Sequence, residues 1–185
     1  MNQPQQKSFS ARPLYQSYAI ANEGGLLYAG EYPGDRNEAC AREKIQQMTT
    51  FGVRHFIDLT EEGELVPYAY LLPSGTTYER FPVCDQYIPS SLESVHHLLQ
   101  RIDELKRMEG YTYIHCWGGV GRTGTIVGCY LSQYLQHPDI DEVLDLLEAY
   151  FSIMPKSAYR VTPENELQVD FINDFIQKYG CVCDE

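Results

Sequence analysis

Ile114-His115-Cys116-Trp117-Gly118-Gly119-Val120-Gly121-Arg122-Thr123-Gly124-Thr125 is the stretch from which the rest of the chain can be read. It follows Tyr111-Thr112-Tyr113-Ile114, a short run with strand character, and leads into Ile126, Val127, Tyr130 and Leu131 at helical spacing as far as Tyr134. The glycines crowded between 117 and 124 let the backbone curl until consecutive N–H groups converge on one point. The dipole of the helix beginning near Arg122 adds positive potential there. Strand, tight glycine loop and helix in succession make a cradle for a tetrahedral dianion.

The side chains on this loop give the cradle a chemistry. Cys116 stands at its start, where N–H donors, a helix N-terminus and Arg122 all favour the thiolate, the form that attacks. Arg122 is the only charged side chain of the loop, and its planar fork can grip two phosphate oxygens as a lysine cannot. Thr123 is placed to hydrogen-bond the sulfur and help it leave a phosphocysteine, and His115 to brace the loop. A Walker nucleotide loop fails on inspection: Gly119 and Gly124 have its spacing, but Thr125-Ile126 stand where Lys-Ser/Thr is required. A buried structural thiol at 116 would explain neither Arg122 nor the glycines.

A cysteine nucleophile needs a general acid to protonate the leaving oxygen. Asp85, in Phe81-Pro82-Val83-Cys84-Asp85-Gln86-Tyr87-Ile88-Pro89-Ser90, sits in a proline-bounded loop after a strand and is the first choice. Asp58 competes from another strand end, but Glu61, Glu62 and Glu64 follow it, and their charge should repel a dianion.

Working outward, strands are expected at Leu26-Leu27-Tyr28-Ala29, at 53–59 and at 76–81. Helices are expected at 37–50, from Ser90 as cap to Gly110 as stop, from Asp139 as cap through Tyr150, and from Thr162-Pro163 through Ile176. Strands early and helices late argue for an α/β fold: a single-domain layer sandwich with a mixed central sheet flanked by helices, its chemistry at the carboxyl ends of the strands. Residues 15–180 form this domain. Residues 1–14, rich in Gln, Ser and Pro, and residues 181–185 read as flexible tails.

The 185 residues fit one domain, and 43% apolar content is that of a globular protein. A net charge of −12 argues against nucleic acid and against anionic lipid as partners. No apolar run is long enough to cross a bilayer and no signal-peptide order opens the chain, so a cytoplasmic location is expected. The six cysteines lack zinc spacing, so no metal or other cofactor is expected. A disulfide between Cys84 and Cys116 is conceivable under peroxide, but two packed thiols are the simpler reading. Tyr68, Tyr70 and Tyr87 are candidate pocket walls.

His115-Cys116-x5-Arg122-Thr123-Gly124, with residues 81–90 upstream, resembles the signature and acid loop of the cysteine-dependent protein tyrosine phosphatase superfamily, in its small dual-specificity-like branch. The resemblance covers roughly residues 26–179. It implies Cys116 as nucleophile, Arg122 as phosphate clamp, the backbone N–H groups of Trp117, Gly118, Gly119, Val120, Gly121 and Arg122 as cradle, Asp85 as acid then base, and Gln168 as a positioner of water. The tryptophan that opens the acid loop in classical members is absent. The substrate implied is phosphotyrosine in a protein, with phosphoserine and phosphothreonine beside it. A phosphoinositide, an RNA 5′-phosphate or another small phosphoester stands as the alternative, and a phosphoprotein-binding module without turnover as a further one. With no lysine between Cys116 and Arg122, highly phosphorylated inositides are less favoured.

Overall fold

The computed structural model describes residues 16–22 and 25–180. Their strands, β1 (Ser17–Asn22), β2 (Gly25–Gly30), β3 (Val53–Asp58), β4 (Thr77–Arg80) and β5 (Tyr111–His115), form one mixed sheet in the order β1-β2-β5-β3-β4. β1 runs antiparallel to β2, whereas β2, β5, β3 and β4 are mutually parallel. The helices are α1 (Glu38–Phe51), α2 (Leu92–Lys106), α3 (Gly121–Ser132), α4 (Ile140–Phe151) and α5 (Glu166–Tyr179).

Alternation along the strands divides the core in two. Leu27, Ala29, Ile57 and Ile114 face the layer built by α2, α3, α4 and α5, while Tyr28, Phe56 and Tyr113 face Ile45 and Met48 of α1 and Tyr68. Every residue of α3 is buried. The helix that follows the glycine loop therefore lies between the sheet and α4 and α5, with Gly128 against Ile172.

The expected α/β sandwich is the observed one, with local differences at the element ends. β1 was not anticipated: its six residues are short and rich in alanine, and only Tyr18 and Ile20 alternate into the core. Ser91, not Ser90, caps α2, because its Oγ is the one that accepts the N–H of Ser94, at 3.0 Å. α2 ends at Lys106, and Gly110 instead makes the positive-φ turn into β5. α3 stops at Ser132, two residues short of Tyr134. α5 starts at Glu166: Thr162 is held by Val120 through its hydroxyl, and Asn165 supplies the cap. His96 stacks on Tyr179 with ring centroids 4.4 Å apart. The expected tails and the Cys181-Val182-Cys183 cluster lie outside the described residues.

Candidate active site

The carboxyl ends of β2, β5, β3 and β4 bring four loops to one edge of the sheet, and residues 116–120 stand at their centre. Gly119 has φ of 67°, and a Cβ there would lie 2.5 Å from the Gly30 carbonyl oxygen, so only glycine fits. The loop's carbonyls are turned outward and held there. Trp117 O accepts from Tyr32 N at 3.0 Å, Gly118 O from Lys156 Nζ at 2.6 Å, and Val120 O from the Thr162 hydroxyl at 2.9 Å. Each peptide plane is rigid, so an outward carbonyl turns the next N–H inward. Among the described residues nothing accepts the N–H groups of residues 117–120. Lys156, mostly buried, also pairs with Glu31.

Cys116 and Arg122, 3% and 2% exposed, meet at the floor of a cavity of about 300 Å³ whose rim carries Asp85, Gln86, Arg160 and Glu164. Arg122 Nη1 donates to Glu64 Oε2 and Nη2 to Glu64 Oε1, both at 2.7 Å, and Nη1 also reaches Val83 O at 3.0 Å. Burial alone would raise the Glu64 carboxyl, but the guanidinium holds it below the usual carboxylate range. Glu64 escaped the sequence reading, which took the acids at 61–64 as a source of repulsion. A buried arginine requires a carboxylate partner, and that requirement was the available signal.

Asp85 Oδ1 lies 2.9 Å from Arg122 Nη2 with half of its side chain exposed, so its loop reaches over the cavity. Asp58 is fully engaged elsewhere. It accepts from Thr60 N at 2.9 Å, from the Thr60 hydroxyl and Tyr78 OH at 2.7 Å each, and pairs with Arg80 at 3.4 Å. Buried and fourfold bonded, it is a structural acceptor.

His115 braces the loop through its ring and its backbone. Nδ1–H donates to Cys116 O at 3.1 Å, Nε2 accepts from Tyr68 OH at 2.6 Å, and His115 O takes the N–H of Leu59 at 2.8 Å. Burial pushes this imidazole below its ordinary value, so it is neutral. Thr123 is buried with its hydroxyl unbonded, so the expected bond to sulfur is not made here. Gln168 is buried with both ends of its amide on backbone groups, Glu164 N at 2.9 Å and Tyr87 O at 3.1 Å. Of the candidate wall residues, Tyr68 is buried against His115, Tyr70 bonds Glu38 on the surface, and Tyr87 is exposed; none lines the cavity. Cys84 and Cys116 are both free thiols.

Known proteins resemble the chain in sequence and in fold. Over 142 residues the chain is 32% identical to the candidate tyrosine phosphatase 067L of Invertebrate iridescent virus 3, covering 72% of this chain and 58% of that one. Over 94 residues it is 32% identical to a second, 197R of Invertebrate iridescent virus 6, covering 49% of this chain and 35% of that one. The chain thus spans about half the length of these viral relatives or less. The crystal structure of kinase-associated phosphatase with its catalytic cysteine replaced by serine superimposes with a TM-score of 0.69. That pair is 18% identical and covers 91% of this chain and 97% of the other, a likeness of fold. Residues 36–160, which hold Glu64, the acid loop and the whole glycine loop, match the model described as PTP-SAK, Swiss Army Knife protein, DSP-PTPase phosphatase domain, and the chain belongs to that family.

Proposed function

We propose that the protein is a metal-independent phosphomonoesterase that removes phosphate from phosphotyrosine, and from phosphoserine or phosphothreonine, in other proteins. The observation that carries this reading is the meeting of Cys116, Arg122 and Asp85 in one small cavity beneath inward-turned N–H groups. The Cys116 thiolate attacks phosphorus, the ester P–O bond breaks, and Asp85 delivers its proton to the departing oxygen. A water then attacks the phosphocysteine and gives a proton to the Asp85 carboxylate. The P–S bond breaks, and phosphate leaves with the thiolate restored. The N–H groups and Arg122 stabilise the charge that builds on the equatorial oxygens. Thr123 has a hydroxyl free to meet the departing sulfur.

A groove of about 740 Å³ shares Trp117 and Gly118 with the cavity and gives room for polypeptide flanking the phosphorylated residue. Its Lys44 and Lys156 are neutralised by Asp35 and Glu31, and Arg36 is left without an ion pair among the described residues. One unpaired cation suits a peptide with a single acidic neighbour better than a multiply phosphorylated inositol ring. Free thiols at Cys40, Cys84, Cys116 and Cys129 support a reducing, cytoplasmic setting.

The test is hydrolysis of para-nitrophenyl phosphate in EDTA, with Cys116→Ser and Asp85→Asn beside the wild type, followed by phosphopeptides against phosphoinositides. Turnover absent in Cys116→Ser, and a preference for phosphopeptides, are expected. A wild type that binds phosphopeptide without hydrolysing it would replace the enzyme by a binding module.

A further inference from the structure

The start of α5 carries an asparagine with two uses. Asn165 Oδ1 accepts the N–H of Gln168 at 3.1 Å and so caps the helix, while its Nδ2 donates to the carbonyl of Gln86 at 3.0 Å. Gln168 is wholly buried, accepts from Glu164 N with Oε1, and directs Nε2 at the carbonyl of Tyr87. Gln86 and Tyr87 are the two residues that follow Asp85. Gln86 has φ of 60°, a left-handed conformation that a non-glycine residue keeps only when its surroundings hold it there. On the other flank of Asp85, Val83 N donates to Leu59 O at 3.0 Å and Val83 O accepts from Arg122. The segment bearing Asp85 is thus fixed through its backbone on both sides, and α5 supplies one side with two side-chain amides.

We infer that Asn165 and Gln168 are positioning residues that hold the Asp85 carboxylate over the cavity by gripping the carbonyls of Gln86 and Tyr87. The inference rests on the reading of Asp85 as general acid. It gives Gln168 a different task from handling water, since both ends of its amide are already engaged. A carboxylic acid on a loop delivers its proton well only when its geometry is held to within a fraction of an ångström, and a half-exposed Asp85 has little packing of its own to do this.

Asn165→Ser isolates the grip, because a serine oxygen still caps α5 but cannot reach Gln86. Proton delivery matters most for a basic leaving group, and only kcat/KM isolates that step from hydrolysis of the shared phosphocysteine, so the readout is the ratio of kcat/KM on phenyl phosphate, whose phenol resembles tyrosine with pKa near 10, to kcat/KM on para-nitrophenyl phosphate. Asn165→Ser is expected to lower kcat/KM about tenfold on phenyl phosphate, a part of the 10²- to 10⁴-fold that a general acid contributes. On para-nitrophenyl phosphate kcat/KM should fall less than about threefold, and Tm should stay within a few degrees. Asn165→Asp, a second capping residue without the donor, should show the same bias. Equal losses on both substrates, or none on either, would overturn the inference. Asp85→Asn, measured alongside, separates the two levels. If it shows the leaving-group bias and Asn165→Ser does not, the grip alone is refuted; if Asp85→Asn shows none, the reading of the acid fails and the grip falls with it.

Discussion

Replacing Arg122 by lysine would keep the charge and remove the fork, and the structure says how much that should cost. A guanidinium has five N–H donors. Nη1 uses both of its hydrogens, on Glu64 Oε2 and Val83 O, and Nη2 uses one on Glu64 Oε1. Nη2 lies 2.9 Å from Asp85 Oδ1 in an ion pair without a hydrogen bond, and among the described residues Nε–H has no acceptor. The second Nη2 hydrogen and Nε–H are therefore the donors left for phosphate under the proposed mechanism. A lysine has three hydrogens, which Glu64 and Val83 O can absorb completely. Losing one to two donors aimed at transition-state charge, at about 2.7 kcal/mol or more each, lowers kcat/KM by roughly 10²- to 10⁴-fold. Initial rates on para-nitrophenyl phosphate, with circular dichroism to confirm folding, measure this. Retention of more than about a tenth of the wild-type kcat/KM would refute the donor assignment.

Three further outcomes follow from packing and ionisation. Gly128→Ala would place a Cβ 2.5 Å from Ile172 Cδ1; overpacking of about 2 kcal/mol should lower Tm by roughly 4–8 °C, and Ile172→Val, which removes that methyl, should restore part of it. Tyr68→Phe leaves His115 Nε2 buried without a partner and should cost about 1–3 kcal/mol in urea unfolding, whereas an unchanged midpoint would show the bond to be idle. Burial depresses His115 and His55 below their ordinary 6.5. Below that pH the unfolded chain binds protons that the folded one refuses, so stability rises with pH through this window and is lost as pH falls under 6.5. Glu64, depressed from 4.5 with Arg122 beside it, adds a second loss on the acid side. A urea midpoint flat between pH 8 and 5 would contradict the histidine part.

The sequence was most legible where the chemistry is contiguous. Cys116, Gly118, Gly119, Gly121 and Arg122 lie within seven residues, so one loop shows a glycine-rich turn, a thiol and a guanidinium together. The loop that carries Asp85 could be located because prolines bound it and a strand precedes it. The helices on the sheet were legible from their periodicity, but their ends were not, since Ser90 and Ser91 are chemically alike and only the backbone decides which caps. The contacts of Lys156, Tyr68 and Asn165 could not be read, because each acts on a partner far along the chain. Charge by sequence window misled at Glu64, where three-dimensional pairing turned apparent repulsion into support for Arg122.

The central place of β5 also bears on when the chain becomes reactive during its synthesis. β5 pairs with strands made long before it, Leu27 beside Thr112 and Val53 beside Tyr111, and α3 is enclosed only once α4 and α5 have docked. Until then Cys116 has neither the inward N–H ring, whose carbonyls are anchored by Lys156 and Thr162, nor an acid loop secured by Asn165. On the proposed mechanism, the growing polypeptide exposes Cys116 without the surroundings that would make it a nucleophile, and the capacity to attack phosphorus arrives with α5, when the described residues are already folded around it.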